Sequence, residues 1–412
     1  MAKNKVWPGM LLVLLIMAAG CDNSTGGDIK KGILSKIDIT GAVDLFIAQT
    51  SPMEKEMFKT TEDGDIHAVE YLDEKGNKLT DLDAPSAVYN VNDDYVMIFL
   101  GWYDGYLTRK SDGAVFSLNN AGTVNEYGQD WGYKNSQFVQ TDTAGNIYYC
   151  KNGSGFNDRS ILKIDVSNPN SLTVIEFVKL VETNDQIVAF DISPSGHVIY
   201  MDNNSNKRIK KANGGLDNLP MMIYWWIGYD GKIKYIGSGK VTTVTIDNEY
   251  NVTQTDVAWE EGIASSSSMS SFFRVYISDR IMLIGTGQGS LGTIFEVENP
   301  AKNPRVITIP DITIKNVAYS GNYYYLSGNN SNSTPKPVLL KVNPTTDAVT
   351  ELLAPGLYDI YKMTVSDTNI VTFNAERMSD GKIVIGRISA TGTVSIINET
   401  LNVKVSVLER IK

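Results

Sequence analysis

Histidine and cysteine, the side chains most often used for nucleophilic catalysis and zinc binding, are scarce in this chain. Only His67, His197, Cys21 and Cys150 occur among its 412 residues. His67 lies in a short strand-like run and His197 follows a glycine turn, so we interpret both as surface or packing residues. Cys150 ends an apolar run and is expected to be a buried, unreactive thiol. The residue types therefore predict neither a histidine-based catalytic site nor a zinc site.

The motifs that would indicate a cofactor, a metal ion or a catalytic serine are also missing. The chain has no haem-attachment motif, no His-Glu-x-x-His and no Gly-x-Ser-x-Gly. Gly287, Gly289 and Gly292 match a dinucleotide-binding pattern, but the strand-like TIFEVEN follows them where a helix would have to bind the pyrophosphate. The acidic and amide clusters at 202–206 and 247–251 do not fit the twelve-residue calcium loop. We predict no catalytic residue, no cofactor and no metal.

Aromatic residues are the side chains best suited to binding. Trp and Tyr beside Asp, Asn and Gly form both sugar-stacking platforms and protein-binding hot spots. The candidate ligand-binding residues are Trp102, Tyr103, Tyr106, Trp131, Tyr133, Trp225 and Trp226. Neighbouring residues of a strand point to opposite sides, so at least one of Trp225 and Trp226 should pack between sheets. Core packing and a binding surface remain alternative interpretations of this set.

The elements that must position these residues are short strands. Runs rich in Val, Ile, Tyr, Phe and Thr alternate with Asp, Asn, Gly and Ser clusters, which is typical of strands and hairpins. Residues 137–178 form one four-stranded unit through FVQTD, NIYYC, SILKIDV and LTVIEFV. Further units, complete or partial, cover 37–72, 84–124, 185–214, 241–309, 315–353 and 360–397. Four strands repeating at this spacing predict an all-β fold, a β-propeller of about seven four-stranded blades, with six to eight allowed.

Two further sequence features favour a closed propeller. The alternating run NVKVSVL at 402–408 has no partner in its own unit, so we expect it to complete the first blade and close the ring. Residues 190–211 resemble an NHL-type propeller repeat. The matching positions are Asp191, Gly196, Tyr200, Asp202, Asn206, Arg208 and Ile209. The resemblance implies a propeller fold and no particular activity.

The N-terminus has the layout of a secretory signal. Lys3 and Lys5 precede the apolar run at 10–19, which is too short for the roughly 20 residues of a spanning helix. The sequence AAGC at 18–21 resembles the bacterial lipobox, with alanine where leucine is more usual. The resemblance implies cleavage after Gly20 and attachment of lipid to the new N-terminal residue, Cys21.

This cleavage would divide the chain into three segments. Residues 1–20 are the predicted signal peptide, 21–32 a lipidated flexible tether and 33–412 a single propeller domain. The tether is rich in Gly, Ser, Asn and Asp, and two or more acyl chains on Cys21 would anchor it stably in the bilayer. Asp22 resembles the inner-membrane retention signal of enterobacteria, a rule that other lineages do not follow. The predicted location is the extracytoplasmic side of a bacterial membrane, inner or outer.

Charge and composition restrict the partners. Loss of Lys3 and Lys5 changes the formal net charge from −10 to −12, because no acidic residue precedes Asp22. A phosphate backbone would be repelled, so nucleic acid is excluded as a partner. With 42% hydrophobic residues, the chain can bury a large core.

Three function classes remain, and we favour the first. It is a membrane-anchored cell-envelope lipoprotein that acts as a non-catalytic binding or scaffold propeller for a protein partner. The second is a carbohydrate-binding or sensing module at the cell surface, in which the aromatic residues hold a glycan. The third is a propeller hydrolase or lyase that uses carboxylates or arginine in the central channel.

Overall fold

The described part of the chain forms a ring of antiparallel sheets in the computed structural model. The structure describes residues 34–411 with gaps at 52–53, 102–103, 119–138, 143–144, 153–158, 168–171, 180–186, 193–197, 203–206, 211–215, 219–223, 229, 231, 238–239, 247–251, 259–270, 278–279, 287–290, 300, 321–322 and 331–332. Within these ranges every regular element is a strand, and no helix is long and apolar enough to cross a membrane. The predicted all-β class is confirmed.

Seven blades form the ring, which confirms the predicted β-propeller, and six of them have four strands. Within a blade we label the strands a to d in hydrogen-bonding order. Blade 1 contains β33 (Val405–Arg410), β2 (Asp44–Ser51), β3 (Glu54–Thr60) and β4 (Ile66–Ala68). Blade 2 contains β6 (Pro85–Asn90), β7 (Tyr95–Leu100), β8 (Asp104–Arg109) and β9 (Val115–Ser117). Blade 3 contains β10 (Val139–Thr141), β11 (Ile147–Asn152), β12 (Arg159–Asp165) and β13 (Thr173–Lys179).

Blades 4, 5 and 7 have the same order. Blade 4 contains β14 (Ile187–Ile192), β15 (Val198–Asp202), β16 (Lys207–Lys210) and β17 (Leu216–Asn218). Blade 5 contains β18 (Tyr224–Ile227), β19 (Ile233–Gly237), β20 (Lys240–Ile246) and β21 (Val252–Ala258). Blade 7 contains β29 (Tyr358–Val365), β30 (Val371–Arg377), β31 (Lys382–Ile388) and β32 (Val394–Asn398). A separate two-stranded sheet pairs β1 (Leu34–Ile37) with β5 (Tyr71–Asp73).

Blade 6 is a seven-stranded sheet. Its strands are β22 (Ser271–Ile277), β23 (Arg280–Thr286), β24 (Leu291–Glu298), β25 (Arg305–Ser320), β26 (Tyr323–Asn330), β27 (Pro337–Asn343) and β28 (Ala348–Leu353). The start of β25 pairs with β24, whereas 312–320 pair with β26. The strand is thus the last strand of one four-stranded unit and the first strand of the next. Counted as four-stranded units, the ring has eight, which is within the predicted range.

The a strands lie around the centre of the ring, where several contact the a strand of the next blade, as β29 contacts β33 and β33 contacts β6. Apolar side chains fill the spaces between blades. Phe46 and Ile47 are neighbours on β2 and point to opposite sides, as strand geometry requires. Phe46 packs with Ile385 of blade 7, and Ile47 packs with Ile98 of blade 2. Each blade is therefore buried on both faces by its neighbours.

The last strand closes the ring as the sequence predicted. β33 pairs antiparallel with β2 of the first blade, with Leu408 opposite Phe46. The strand begins at Val405, later than the predicted 402, because Asn402 has a φ of 46° and belongs to the preceding connection. The end of the strand extends to Arg410, two residues beyond the prediction. These last residues belong to the candidate site described below.

Candidate binding site at the closure of the ring

One end of the ring carries the turns that join strands a to b and c to d, and we call it the a–b face. In blade 2 these turns are 91–94 and 110–114, and in blade 7 they are 366–370 and 389–393. The a strands end at this face, so Glu409 and Arg410 reach it at the end of β33. Closure of the ring therefore brings residues far apart in sequence together at this end.

A buried carboxylate links the first blade to the last. Asp44 is fully buried, and its Oδ2 accepts hydrogen bonds from the hydroxyls of Thr60 and Thr372, both at 3.0 Å. Its Oδ1 accepts from the Thr364 hydroxyl at 3.0 Å and from Arg410 Nη1 at 3.4 Å. A buried carboxylate is tolerated when its lone pairs are satisfied in this way. The same contacts fix the guanidinium of Arg410.

Arg387 makes a second link across the closure. It lies on β31 of blade 7, and its Nη1 and Nη2 donate to the backbone carbonyls of Glu62 at 2.8 Å and Thr61 at 2.7 Å. These carbonyls belong to the turn between strands c and d of blade 1. A guanidinium carries five N–H donors in a fixed plane, so these two bonds also set its orientation.

A pocket of roughly 400 Å³ lies between blades 7 and 1 above this network. Arg410 and Arg387 line one part of it, and the a–b turn of blade 7 lines another. The complete lining is Val43, Glu62, Ser366, Asp367, Thr368, Ile370, Thr372, Arg387 and Arg410. The volume is within the range of small-ligand pockets. Its lining combines both signs of charge with three hydroxyls.

Local hydrogen bonds shape the turn that borders the pocket. Ser366 Oγ accepts from the Ile370 N–H at 3.0 Å, and the Ser366 carbonyl accepts from the Asn369 N–H at 2.8 Å. Asn369 has a φ of 64°, a left-handed conformation that asparagine adopts more readily than most residues. Its side-chain oxygen accepts from the Tyr325 hydroxyl of blade 6 at 2.9 Å. The turn is thus held from both sides.

A carboxyl group with a strongly shifted pKa lies beside the central channel. Glu409 Oε1 accepts a hydrogen bond from the Asn90 N–H of blade 2 at 3.2 Å. Burial raises the pKa of Glu409 to about 7, and the charge of Asp44 acts in the same direction. Lys110 and the bond from Asn90 oppose the shift without cancelling it. A carboxyl group that titrates near neutral pH is suited to proton transfer.

Two further side chains interact electrostatically with Glu409. Tyr319, on the a strand of the second half of blade 6, is half exposed, and burial together with the Glu409 charge raises its pKa. Tyr319 and Glu409 both lie on a strands, which surround the ring centre. Burial also lowers the pKa of Lys110, whose own N–H donates to the Asp94 carbonyl at 2.9 Å. Lys110 belongs to the c–d turn of blade 2, on the a–b face.

The aromatic residues predicted to bind a ligand do not form one surface among the described residues. Trp226 is fully buried between blades 5 and 6, where its Nε1 donates to Glu298 at 3.3 Å. This burial excludes Trp226 from the binding set and confirms that one of the two adjacent tryptophans packs between blades. Tyr106 is partly buried against the cluster between blades 1 and 2. Trp225 lies on β18, and Trp102, Tyr103, Trp131 and Tyr133 lie outside the described residues.

The remaining sequence candidates can be placed in part. His67 is exposed on β4, and His197 lies outside the described residues. A strand, Leu291–Glu298, follows the glycine-rich loop as predicted, so that loop has no helix to bind a pyrophosphate. No group of three or more His, Cys, Asp or Glu suited to a metal ion occurs in the part of the chain that the structure describes. The residues proposed for lipidation and the tether are not among the described residues.

Comparison with known proteins finds similarity only to solved structures. No protein-family model matches the chain, and no curated protein matches its sequence. Virginiamycin B lyase from Staphylococcus aureus is 13% identical, with a TM-score of 0.39 over 63% of this chain and 82% of that one. A putative 6-phosphogluconolactonase from Bacteroides fragilis is 14% identical, with a TM-score of 0.42 over 87% and 94%. Dipeptidyl peptidase 4 from Porphyromonas gingivalis is 11% identical, with a TM-score of 0.46 over 77% and 53%. Similarity at this level transfers no activity to this chain.

Proposed function

We propose that this chain is a lipoprotein of the bacterial cell envelope, anchored through Cys21, whose propeller binds a protein partner without catalysing a reaction. The pocket between blades 7 and 1 carries the proposal. It is concave, and its lining combines apolar surface with charged side chains that hydrogen bonds hold in place, so it can hold a projecting segment or terminus of a partner. The N-terminal sequence supports the location in the envelope, since it combines a signal peptide with a lipobox-like site.

The rigidity of the pocket supports a binding role. Asp44 fixes Arg410 from below, and the Thr61 and Glu62 carbonyls fix Arg387. Side chains that are already held in place lose little conformational entropy when a partner binds. A binding site needs no nucleophile or metal, in agreement with the residue types of the sequence.

A pocket-filling substitution tests the binding role in cells. Thr368 is exposed in the a–b turn of blade 7 and lines the pocket. Thr368→Trp should therefore block the pocket and abolish crosslinking to the envelope partner in living cells, read by mass spectrometry of the purified tagged protein. Thr391→Trp is the matched control, because Thr391 is exposed in the c–d turn of the same blade and its hydroxyl contacts Ser389 at 2.9 Å, as Thr368 contacts Ser366.

The two variants separate the possible outcomes. Loss of a stoichiometric partner with Thr368→Trp and its retention with Thr391→Trp would support a pocket-centred interaction. Recovery of the same partner with both variants would place the interaction elsewhere on the propeller. Recovery of the wild-type protein without any partner would contradict the scaffold role.

The anchor has a separate test. Cys21→Ser removes the thiol that would carry the diacylglycerol, so the variant should show no labelling by a radioactive or alkyne-tagged fatty acid. It should also lose membrane retention or accumulate as a precursor, which fractionation and gel mobility would show. Normal labelling and retention of the variant would reject the lipoprotein assignment.

A propeller hydrolase or lyase is the second candidate, and Glu409 is the observation that favours it. Its carboxyl group has a pKa of about 7 and belongs to the a strand β33, and the charge of Lys110 acts on it. Such a group acts as acid or base near neutral pH. If the purified protein turns over an ester, lactone or glycoside, Glu409→Gln should reduce kcat by at least about 100-fold, the usual contribution of a general acid or base. Unchanged turnover would remove Glu409 from that role.

A further inference from the structure

Charged side chains of both signs line the closure pocket, and hydrogen bonds hold the two arginines among them. Arg410 is 23% exposed in its side chain, and the fully buried Asp44 holds its guanidinium from behind. The guanidinium therefore has a fixed position at the wall of the pocket. Planar guanidinium groups bind carboxylates through paired N–H donors, which makes this wall an anion-binding surface. Arg387, fixed by two backbone carbonyls, adds a second positive charge to the same lining.

Asp367 provides the opposite charge at the pocket rim. It occupies an exposed position in the turn between β29 and β30 and has no ion-pair partner among the residues that the structure describes. Glu62 adds a second carboxylate to the lining from the facing turn of blade 1. A carboxylate at the rim of a pocket attracts an ammonium group, which carries three N–H donors.

Uncharged groups complete the lining between the charged ones. The Thr372 hydroxyl donates to Asp44, and the hydroxyls of Ser366 and Thr368 bond to each other at 2.9 Å, so a ligand would use their remaining lone pairs. Val43 and Ile370 provide the apolar contacts. A volume of roughly 400 Å³ corresponds to a compact cavity about 9 Å across, within the range of small-molecule sites. That span matches a ligand with two charged ends separated by a short, partly apolar body.

We propose that the closure pocket binds a small zwitterion of about dipeptide size, with its carboxylate on Arg410 and Arg387 and its ammonium group on Asp367. The assignment rests on the proposed binding function and names the ligand class of the same pocket. A free peptide is one source of this chemistry. A monoanion would leave the acidic rim uncompensated, and a monocation would face the two arginines, so both should bind more weakly.

Isothermal titration of the purified full-length protein in detergent micelles tests the ligand class. The probes are L-alanyl-L-alanine, its N-acetyl derivative and its C-terminal amide, which remove one charge at a time. The free dipeptide should bind saturably, and each blocked form should bind at least about tenfold more weakly, since each loses a charge-assisted hydrogen bond. Equal binding of all three, or no binding of the free dipeptide, would overturn the proposal.

A pair of conservative variants tests the role of Asp367. Asp367→Asn should weaken binding of the free dipeptide about tenfold while leaving its N-acetyl derivative unchanged, because the lost charge serves the ammonium group alone. Asp63→Asn is the matched control, since Asp63 is exposed beside Glu62 and does not line the pocket. Equal effects of the two variants would contradict a specific contact with Asp367.

Different results would refute the proposed ligand class and the proposed binding function. If Thr368→Trp abolishes the crosslinked partner while no dipeptide binds, the pocket binds a partner by other chemistry and the zwitterion proposal is wrong. If the dipeptide binds and Thr368→Trp blocks it without affecting any partner, the pocket is a small-molecule site and the partner binds elsewhere on the propeller. Failure of both measurements rejects both proposals.

Discussion

At the residue scale, the closure of the ring brings together polar and charged groups of the first and last blades. Asp44 comes from β2, Thr364 and Thr372 come from blade 7, and Arg410 comes from the C-terminal strand. More than 300 residues separate Asp44 from its partners in blade 7. Their hydrogen bonds depend on correct closure, and a buried carboxylate without them would be costly. The buried carboxylate of the first blade therefore obtains these hydrogen bonds only when the last blade packs against it.

Glu409 makes stability depend on pH between about 5 and 7. Its pKa rises from 4.5 to about 7 on folding, so the unfolded chain loses its proton first as pH increases. The folded state then binds more protons, and the free energy of unfolding should fall by about 1 to 3 kcal/mol between pH 4.5 and 7.5. Urea unfolding at pH 5 and pH 8 measures this difference.

Substitutions isolate this contribution. The glutamine of Glu409→Gln cannot ionise, so the free energy of unfolding of this variant should not fall as the pH rises. The variant should therefore be more stable than the wild type at pH 8. Glu351→Gln, at an exposed position on β28, should retain the wild-type decrease. Asp112 and Asp380 have pKa values lowered to about 2 by Arg109 and Arg377, so they titrate outside this range. If the free energy of unfolding of Glu409→Gln still falls with rising pH, another titrating group causes the decrease.

Little of the candidate site was predictable from the sequence. Asp44, Glu409 and Arg410 belong to no recognisable motif, because contacts across the closure rather than sequence spacing create their environment. The aromatic residues were visible as clusters, yet Trp226 serves the core instead. The run NVKVSVL pointed to the closing strand, and the charged residues that follow it were the available signal for the site.

At the element scale, the strand pattern was predictable because period-two alternation directly reflects burial on two faces. The four-stranded unit expected at 137–178 appears as β10 to β13. The continuous strand β25 was not foreseen, since Pro310 and Asp311 read as a break between units. The pairing partner changes near these residues without ending the strand. The local sequence therefore indicated a boundary between two units, whereas the backbone continues through it as one extended strand.

The closing strand provides a matched pair of mutations. Leu408 is buried in the cluster between blades 7 and 1, whereas Ser406 on the same strand is exposed. Leu408→Ala should lower the free energy of unfolding by about 2 to 4 kcal/mol, the cost of a truncated core leucine. Ser406→Ala should cost less than about 1 kcal/mol, since it removes one long, partly buried hydrogen bond, at 3.3 Å, to the Ile47 carbonyl. Chemical denaturation compares them, and equal losses would show that β33 does not stabilise the ring through inter-blade packing.

At the scale of the whole molecule, the chain enters and leaves the described structure at the same end of the ring. Ile37 of β1 donates its N–H to the Gly113 carbonyl in the c–d turn of blade 2, at 3.0 Å. Gly113 has a φ of 75°, and a Cβ there would lie 2.5 Å from the Ile37 carbonyl oxygen, so this close approach requires glycine. At the other terminus, the Ile411 N–H donates to the Val43 carbonyl at 3.1 Å. Both ends therefore lie at the a–b face.

A lipid anchor attached at this end should keep the a–b face closer to the bilayer, on average, than the opposite end of the ring. We expect a donor dye at Asp63→Cys, on the a–b face, to transfer energy to an acceptor in the bilayer more efficiently than a dye at Asp380→Cys. Asp380 lies in the turn after the seven residues of β30, which places it about 20 Å further along the strand direction. Both variants carry Cys150→Ser so that a single thiol reacts. Equal transfer from the two positions would show that neither end of the ring lies closer to the bilayer.

The position at which the chain enters the ring also limits the distance from the membrane at which the protein can bind a partner. Thirteen residues, 21–33, separate the proposed lipid from the first described residue, and a fully extended chain of that length spans at most about 45 Å. The a–b face would then sample a thin layer next to the membrane at high effective concentration, and molecules beyond it would be out of reach. Tether length, rather than affinity alone, would decide which partners the closure pocket meets.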